Sequence, residues 1–458
     1  MVVTMIQRRF RTVAANFEKV SCGNGAAIGA FEDFSTIHPN PKPEPATKLT
    51  RMDASPTSPL IDETSRHYAG WRVVGACFVV ASFGWALGFY GQSVFLAELH
   101  RIHGWPTSLI STATTFFYLF SAVLVAFVSD AMRRFGPRTC LVSGVCCLAF
   151  ATIALGRIDQ PWQLYAVYGL MAFGWAGVSL GAITNTLGLW FDKRRGMAIS
   201  LALNGASCGG VFGVPVLVAA ISHLGFATAL LVTAVVMVAV LLPMILIVIG
   251  QPPHRAASDS NGVPLAAMPA SRIRADALRS FAFWTITASF ALVLFAQVGF
   301  IVHLVSYLDP VVGRERAAVA IALMTIMAVV GRVLFSTVID RLNQRKAAAA
   351  SFISQAIALL LMIHAGNEIT VFFASALFGF SVGNVITLPA LIIQREFDSR
   401  SFGVLVSLTA ATGQIFNAFG PGAIGLLRDA FGSYTVPFAI CIGLQIAAAA
   451  IILMRGKR

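Results

Sequence analysis

The sequence predicts an all-α membrane protein whose twelve transmembrane helices form two pseudo-symmetric six-helix bundles. Composition is the first reason, because 57% of the residues are hydrophobic and only 12% are charged, and the mean hydropathy is +0.78. Soluble domains are much less apolar. The other two reasons are twelve apolar segments of spanning length and an internal repeat that relates the two halves.

The N-terminal residues 1–70 are predicted to be a disordered cytoplasmic tail. They include PNPKPEPATK and DASPTSP, which are rich in Pro, Ser and Thr and contain little apolar material to bury. The opening MVVTMIQRRFRTVAANF is basic and is typical of a transit peptide, but it could equally be an upstream extension if translation starts at Met52.

Twelve apolar segments follow, each close to or above the roughly twenty residues that a spanning helix needs. They cover residues 72–96, 108–128, 139–156, 162–189, 196–220, 226–249, 281–307, 317–339, 346–364, 370–393, 402–427 and 434–454. A polar stretch divides them six and six. We therefore expect one bundle over 71–250, a cytoplasmic linker over 251–280, and a second bundle with a short cytoplasmic tail over 281–458.

Arginine and lysine placement predicts the orientation. With both termini cytoplasmic, the inner segments carry 20 of these residues and the outer loops carry five. Short cytoplasmic loops are the ones enriched in basic residues. We expect a multi-pass protein of the cell (inner) membrane with both termini inside, and we assign the net charge of +13 to this topology rather than to nucleic-acid binding.

The two halves repeat one another at a nearly fixed offset. Phe191, Asp192 and Pro215 recur 206 residues later as Phe397, Asp398 and Pro421, and Arg134 and Arg138 recur 207 residues later as Arg341 and Arg345. Repeats of this kind are typical of transporter folds, in which substrate sites lie between the halves.

Arg332 is the strongest candidate for a binding residue. It lies in the eighth segment, eight residues before Asp340, and hence about 12 Å from that helix end. A guanidinium at such depth costs at least about 2.5 to 3.5 kcal/mol, so it usually faces a wet cavity and an anionic partner. No acidic residue lies mid-span, so the partner is predicted to be the ligand; an arginine satisfied by carbonyls or water is the alternative.

Other polar side chains near mid-span could line the same site: Tyr118, Gln297, Asn384, Gln414 and Asn417, with Tyr90 and His303 nearer the outer ends of their segments. Each could orient a carboxylate or hydroxyl, or merely bond one helix to another. His303 titrates near neutral pH and is the only side chain that we expect could relay protons.

Two loops resemble the G-x-x-x-D-R-x-G-x-R pattern of the major facilitator superfamily. SDAMRRFGPR (residues 129–138) keeps two arginines and one glycine of the pattern, but its aspartate is displaced by about one turn, and the second copy, STVIDRLNQR (residues 336–345), lacks both glycines. The resemblance implies a major facilitator fold. It also implies a cytoplasmic gate in which carboxylates face arginines, formed by Asp130, Arg134, Arg138, Asp340, Arg341 and Arg345.

Within that superfamily the chain looks like the monocarboxylate transporter and oxalate/formate exchanger branch. The resemblance lies in GWPTSLIS (104–111), WFDKRRGMAISLALNGASCGGVFG (190–213), and Gly331 with Arg332. It implies that Arg332 pairs with a substrate carboxylate. The chain departs at Ala328, where that branch has a proton-coupling aspartate, and it lacks the exchanger's lysine in the eleventh segment. A single arginine favours a monoanion.

We therefore expect a secondary active or facilitative transporter of a small organic anion, most simply a monocarboxylate, working by alternating access. Coupling to protons is open. Efflux of a hydrophobic or aromatic compound is the alternative within transport, and a transporter-like nutrient sensor is the alternative from another class. We find no catalytic constellation, metal-ligand spacing or cofactor motif, and we expect a monomer in the lipid bilayer.

Overall fold

The computed structural model describes residues 63, 65, 68–191, 194–250, 270–336, 342–397 and 401–454, with the backbone alone at 270–274, 336, 402, 403 and 407. Across these residues the chain is helical and contains no strand. The predicted tail, most of the predicted linker, Asp340 and Arg341 lie outside the described residues.

Twelve long helices, which we name α1 to α12, follow the twelve predicted segments. Their bounds are α1 Gly70–His103, α2 Thr107–Ala126, α3 Pro137–Leu155, α4 Pro161–Gly188, α5 Arg195–Leu224, α6 Phe226–Val248, α7 Phe281–Val312, α8 Arg314–Ser336, α9 Gln344–Ile363, α10 Glu368–Glu396, α11 Phe402–Phe431 and α12 Thr435–Leu453. Eleven of them, all except α11, are long and apolar enough over the described residues to cross a bilayer. This is the predicted all-α membrane fold.

Two shorter helices lie outside the predicted segments. Val128–Phe135 connects α2 to α3, and Ala270–Arg279 occupies the end of the predicted linker. Both lie at the end of the molecule where α1 begins and α12 finishes, which we call the terminal end. The opposite end, which holds the turns after α1, α3, α5, α7, α9 and α11, is called the distal end.

Local sequence explains where several helices begin and finish. Asn343 accepts from the amides of Arg345 and Lys346 and so caps α9. Gln163 accepts from the amides of Asp159 and Gln160 at 2.7 and 3.0 Å at the start of α4. At the distal end, α1 stops before Gly104, whose φ of 64° is a left-handed conformation that suits glycine.

Four helices continue past their predicted distal ends by four residues or more. α1 runs to His103 rather than 96, α5 to Leu224 rather than 220, α7 to Val312 rather than 307, and α11 to Phe431 rather than 427. The additional turns of α1 and α11 carry polar residues, Glu98 and Asp429 among them, which the apolar pattern could not include. Both carboxylates bond to the other half of the chain.

Small residues bring helices of each half into close contact. In the first half, a Cβ added at Gly205 or Gly209 of α5 would collide with the carbonyl oxygens of Phe78 and Ser82 in α1. In the second half, Gly331 of α8 packs in the same way on the Phe380 carbonyl of α10. Such contacts fix pairs of membrane helices by van der Waals packing.

Both α1 and α5 contain a π turn, at Ala86–Tyr90 and Gly209–Gly213 respectively, and the two turns touch each other. A π turn inserts one extra residue and is frequent at functional sites. The π turn of α1 places Tyr90 where α1, α5 and α8 meet.

Candidate functional site

Arg332 lies half-buried in α8. Its Nε atom is buried and has no hydrogen-bond acceptor among the described residues. No carboxylate of the described chain forms an ion pair with it. A buried donor without an acceptor costs about 1 to 3 kcal/mol, and more when it is charged, so this position favours an arginine that binds an anion from outside the protein.

The backbone around Arg332 is held closely by α10. Gly383 packs on the carbonyl of Ala328, and a Cβ at that glycine would lie 3.3 Å from the Cβ of Arg332. The adjacent Asn384 donates from Nδ2 to the Phe380 carbonyl at 3.3 Å, whereas its Oδ1 is buried without a partner among the described residues. α10 thus fixes the stem of Arg332 and brings an amide to the same level.

Tyr90 faces this region from the π turn of α1. Its side chain interacts with Thr325 of α8 and lies within the electrostatic field of Arg332. Gly210 of α5 sits against both, because a Cβ there would be 2.6 Å from Thr325 Oγ1 and 2.9 Å from Tyr90 Cε2. Three helices therefore converge on one polar group beside the arginine. Thr325 and Gly210 were not among the predicted site residues.

Tyr118 of α2 is buried, and its hydroxyl has no partner in the described part of the chain. Its ring contacts Phe117, with centroids 5.0 Å apart, and lies 6.4 Å from Phe89 of α1. A buried hydroxyl without a partner is available to a ligand, so the ligand role of Tyr118 stays a prediction that the geometry permits.

Gln297 belongs to a different group of side chains. Its Oε1 accepts from Gln355 of α9 at 3.1 Å, and Gln355 in turn accepts from Gln445 of α12 at 3.2 Å. All three glutamines are buried. These contacts tie three helices of the second half together, so they favour a structural role for Gln297.

His303 is fully buried and bonded on both ring nitrogens. Nε2 lies 3.0 Å from the Pro421 carbonyl of α11, and Nδ1 lies 3.1 Å from the Tyr434 hydroxyl. A carbonyl can only accept, so Nε2 carries the proton. Burial raises the pKa of Tyr434, so its hydroxyl stays protonated and can either donate to Nδ1 or accept from it. These contacts join α7 to α11 and α12.

Gln414 and Asn417 of α11 bond to each other, with Asn417 Nδ2 donating to Gln414 Oε1 at 2.7 Å. Gln414 is exposed and Asn417 is half-buried. Their spacing of three residues places them on one face of the helix. Whether they contact a ligand stays a prediction.

The predicted gate residues that the structure describes lie at the terminal end. Asp130 pairs with Arg133 of the same short helix, and the guanidinium of Arg134 lies 5.4 Å from the Phe135 ring centroid. Arg138 is exposed. None of these contacts joins the two halves, so a gating role for Asp130, Arg134 and Arg138 stays a prediction.

Arg345 is buried and binds within the second half. Its guanidinium forms two bonds to Glu396, at 2.7 and 2.8 Å, and donates to the Ile452 carbonyl at 2.8 Å and to Thr285 Oγ1 at 3.1 Å. These contacts clamp α7, α9, α10 and α12 together at the terminal end. Whether Arg345 also takes part in the predicted cytoplasmic gate stays a prediction.

At the distal end, polar contacts join the two halves. Glu98 of α1, which is fully buried, forms an ion pair with Arg314 at the start of α8. Asp429 of α11 accepts from the Ser108 amide of α2 at 2.6 Å, and Thr115 of α2 accepts from the Gly422 amide at 3.0 Å. The distal end is therefore closed in this conformation.

Sequence reasoning did not assign the Glu98 and Arg314 pair. The polar sequence AELHRIH follows the first apolar segment and resembles an ordinary helix end. Only the packing of α1 against α7 and α8 shows that this carboxylate is buried between the halves.

Comparison with known proteins places these observations in a family context. The family model of the Major Facilitator Superfamily matches residues 74–421. The MFS-type transporter YcxA of Bacillus subtilis is 24% identical over 73% of this chain and 83% of its own length. The aspyridones efflux protein apdF of Emericella nidulans is 22% identical over 93% of this chain and 81% of its own.

Two further similarities are to a monocarboxylate transporter over part of the chain and to a solved structure over most of it. Monocarboxylate transporter 3 of Rattus norvegicus is 29% identical over 34% of this chain and 30% of its own length. Among solved structures, a point mutant of the nucleoside transporter NupG aligns with a TM-score of 0.70 at 10% identity, over 83% of this chain and 99% of its own. That likeness shows a shared fold.

Proposed function

The chain belongs to the Major Facilitator Superfamily, and from that premise we propose that it carries a small organic anion, most simply a monocarboxylate, across a membrane by alternating access. Members of this superfamily are multi-pass transporters of small molecules. The observation that carries the proposal is Arg332, a half-buried cation in a spanning helix whose Nε has no acceptor among the described residues.

A carboxylate matches the chemistry around Arg332. The planar guanidinium can hold both carboxylate oxygens at once. Tyr90, Thr325 and Asn384 are neutral, so they can hydrogen-bond a second part of the substrate without adding charge. One cation then balances one negative charge, which supports a monoanionic substrate.

The distal contacts describe one state of the transport cycle, in which the distal end is closed. With Glu98 and Arg314 paired and Asp429 bonded to Ser108, we infer that the site opens toward the terminal end in this conformation. The excess of basic residues at that end supports a cytoplasmic location for both termini in the cell (inner) membrane. Transport would then require the distal contacts to break while the terminal end closes.

The experiment is uptake of labelled monocarboxylates into proteoliposomes at two external pH values. We expect Arg332→Ala to raise the KM roughly 10- to 100-fold, since a hydrogen bond to a charged group contributes about 1.5 to 3 kcal/mol. Arg332→Lys should also lose transport, but to a smaller extent, because it keeps the charge and loses the planar fork. The matched control is Arg316→Ala, which removes an exposed guanidinium paired with Glu368.

Efflux of a hydrophobic compound is the second candidate function, because the apdF efflux protein aligns over most of both chains. The same vesicles, loaded with a hydrophobic fluorescent compound, test it. Export that is unchanged by Arg332→Ala, together with no carboxylate uptake by the wild type, would replace the anion proposal. Dependence of uptake on external pH would indicate proton coupling.

A further inference from the structure

Among the described residues, the arginines at the distal end are paired with carboxylates in every case but one. The paired residues are Arg101 with Glu98, Arg314 with Glu98 and Asp309, Arg316 with Glu368, and Arg428 with Asp429. Arg157, in the turn between α3 and α4, has no carboxylate within ion-pair distance in the described part of the chain. Among the described residues, its exposed guanidinium donates only to the Ile153 carbonyl, at 3.3 Å.

An open apolar groove of about 440 Å³ lies beside this arginine, between the distal ends of α3 and α4. Phe150, Ile153 and Val167 line its apolar wall, and Trp162 and Arg157 lie toward the distal turn. Phe150 is 64% exposed and Trp162 is 68% exposed. Such large apolar side chains on the outside of a spanning bundle face lipid, and tryptophan is enriched at the level of the headgroups.

We propose that this groove binds one anionic phospholipid of the distal leaflet, with its phosphate on Arg157 and an acyl chain along the groove. A guanidinium holds a phosphate through two parallel hydrogen bonds. The volume lies within the roughly 300 to 1,000 Å³ of known ligand sites. Asp159 is the nearby carboxylate, and it is not among the residues that line the groove.

The headgroup, rather than the acyl chain, determines which lipid this site prefers. An acyl chain in the bilayer is already in an apolar medium, so moving it into the groove changes its free energy little. The anionic headgroup, in contrast, gains a cation that has no other anionic partner among the described residues, whereas a zwitterionic headgroup already carries its own ammonium group beside the phosphate. Since a basic residue at a membrane surface contributes about 1 kcal/mol toward anionic lipid, the preference over a zwitterionic lipid should be roughly fivefold.

The test is native mass spectrometry of the full chain in detergent, with phosphatidylglycerol or phosphatidylcholine of identical acyl chains added at equal concentration. We expect one retained phosphatidylglycerol with a roughly fivefold preference in the wild type. Arg157→Gln should abolish the preference, and Arg316→Gln, which changes another exposed distal arginine, should keep it. Helical circular dichroism verifies that both variants are folded.

A second measurement locates the lipid. Phosphatidylglycerol brominated on its acyl chain should quench the fluorescence of Trp162, measured as the difference between wild type and Trp162→Phe, and Arg157→Gln should reduce this quenching. Equal retention of the two lipids by the wild type would overturn the proposal. So would phosphatidylglycerol retention that is unchanged by Arg157→Gln. None of these readouts depends on the transported substrate.

Discussion

Replacing Glu98 by glutamine should open the distal end. Glu98 is fully buried and its partner Arg314 has a side chain only 20% exposed. Removing one member of a buried ion pair usually costs about 3 to 5 kcal/mol. Arg314 keeps Asp309 at 3.1 Å, so we expect a smaller loss, about 2 to 3 kcal/mol. This loss falls on the distally closed state, because the pair cannot persist when the halves separate.

A shift of this size changes the ratio of open to closed molecules roughly 30- to 150-fold. A minor open state of about 1% would then become comparable in population to the closed state. The assay is a distance measurement by pulsed electron spin resonance, with spin labels on cysteines placed at Ile102 and Val311. Both positions are exposed, near the distal ends of α1 and α7, and the seven native cysteines would be replaced.

We expect one short distance in the parent protein and a second, longer distance in Glu98→Gln. Arg314→Gln should give the same second distance, and the double variant should add little to either single one, since both remove a single interaction. Arg316→Gln is the matched control, because Arg316 and Glu368 both belong to the second half. An unchanged distance distribution in Glu98→Gln and Arg314→Gln would refute the reasoning.

Two further predictions concern the site itself. Gly210→Val should abolish uptake, since the valine side chain would displace Thr325 and Tyr90. Gly443→Ala in α12, where an added Cβ meets nothing within 4 Å, should leave uptake unchanged. Equal uptake by the two variants would contradict this account of the site. His303→Gln should lower the melting temperature by breaking contacts with Pro421 and Tyr434, and it should leave the ratio of uptake at two pH values unchanged. If a folded variant instead loses the pH dependence of uptake, His303 is the proton relay.

The sequence was sufficient to predict the fold because the bilayer imposes length and hydropathy on every spanning helix. The twelve helices follow the predicted segments, and the resemblance to the major facilitator superfamily is confirmed. The likeness to a monocarboxylate transporter covers 34% of this chain. The errors lie at the distal ends of α1, α5, α7 and α11. At α1 and α11 the additional turns carry Glu98 and Asp429, whose bonds to the other half cannot be read from an apolar pattern.

The candidate site was only partly predictable. Arg332 was identifiable from its depth in an apolar segment, because burial of charge is costly wherever the chain folds. Thr325 and Gly210 were not, since a threonine and a glycine in apolar helices are ordinary until the π turn brings Tyr90 against them. Gln297 looked similar to Tyr118 by position, and only its partners on neighbouring helices distinguish it. His303 was expected nearer the outer end of its segment, but its two partners were not predictable from the sequence.

The three linked glutamines also bear on how the two halves can move. Their hydrogen bonds are directional and all three side chains are buried, so sliding α7, α9 or α12 along its axis would break them. Arg345 fixes the same helices at their terminal ends. In the first half, by comparison, the π turns of α1 and α5 are points at which a helix can gain or lose a residue per turn. Bending during transport would therefore be concentrated in the first half, and the second half would act as the fixed frame against which it flexes.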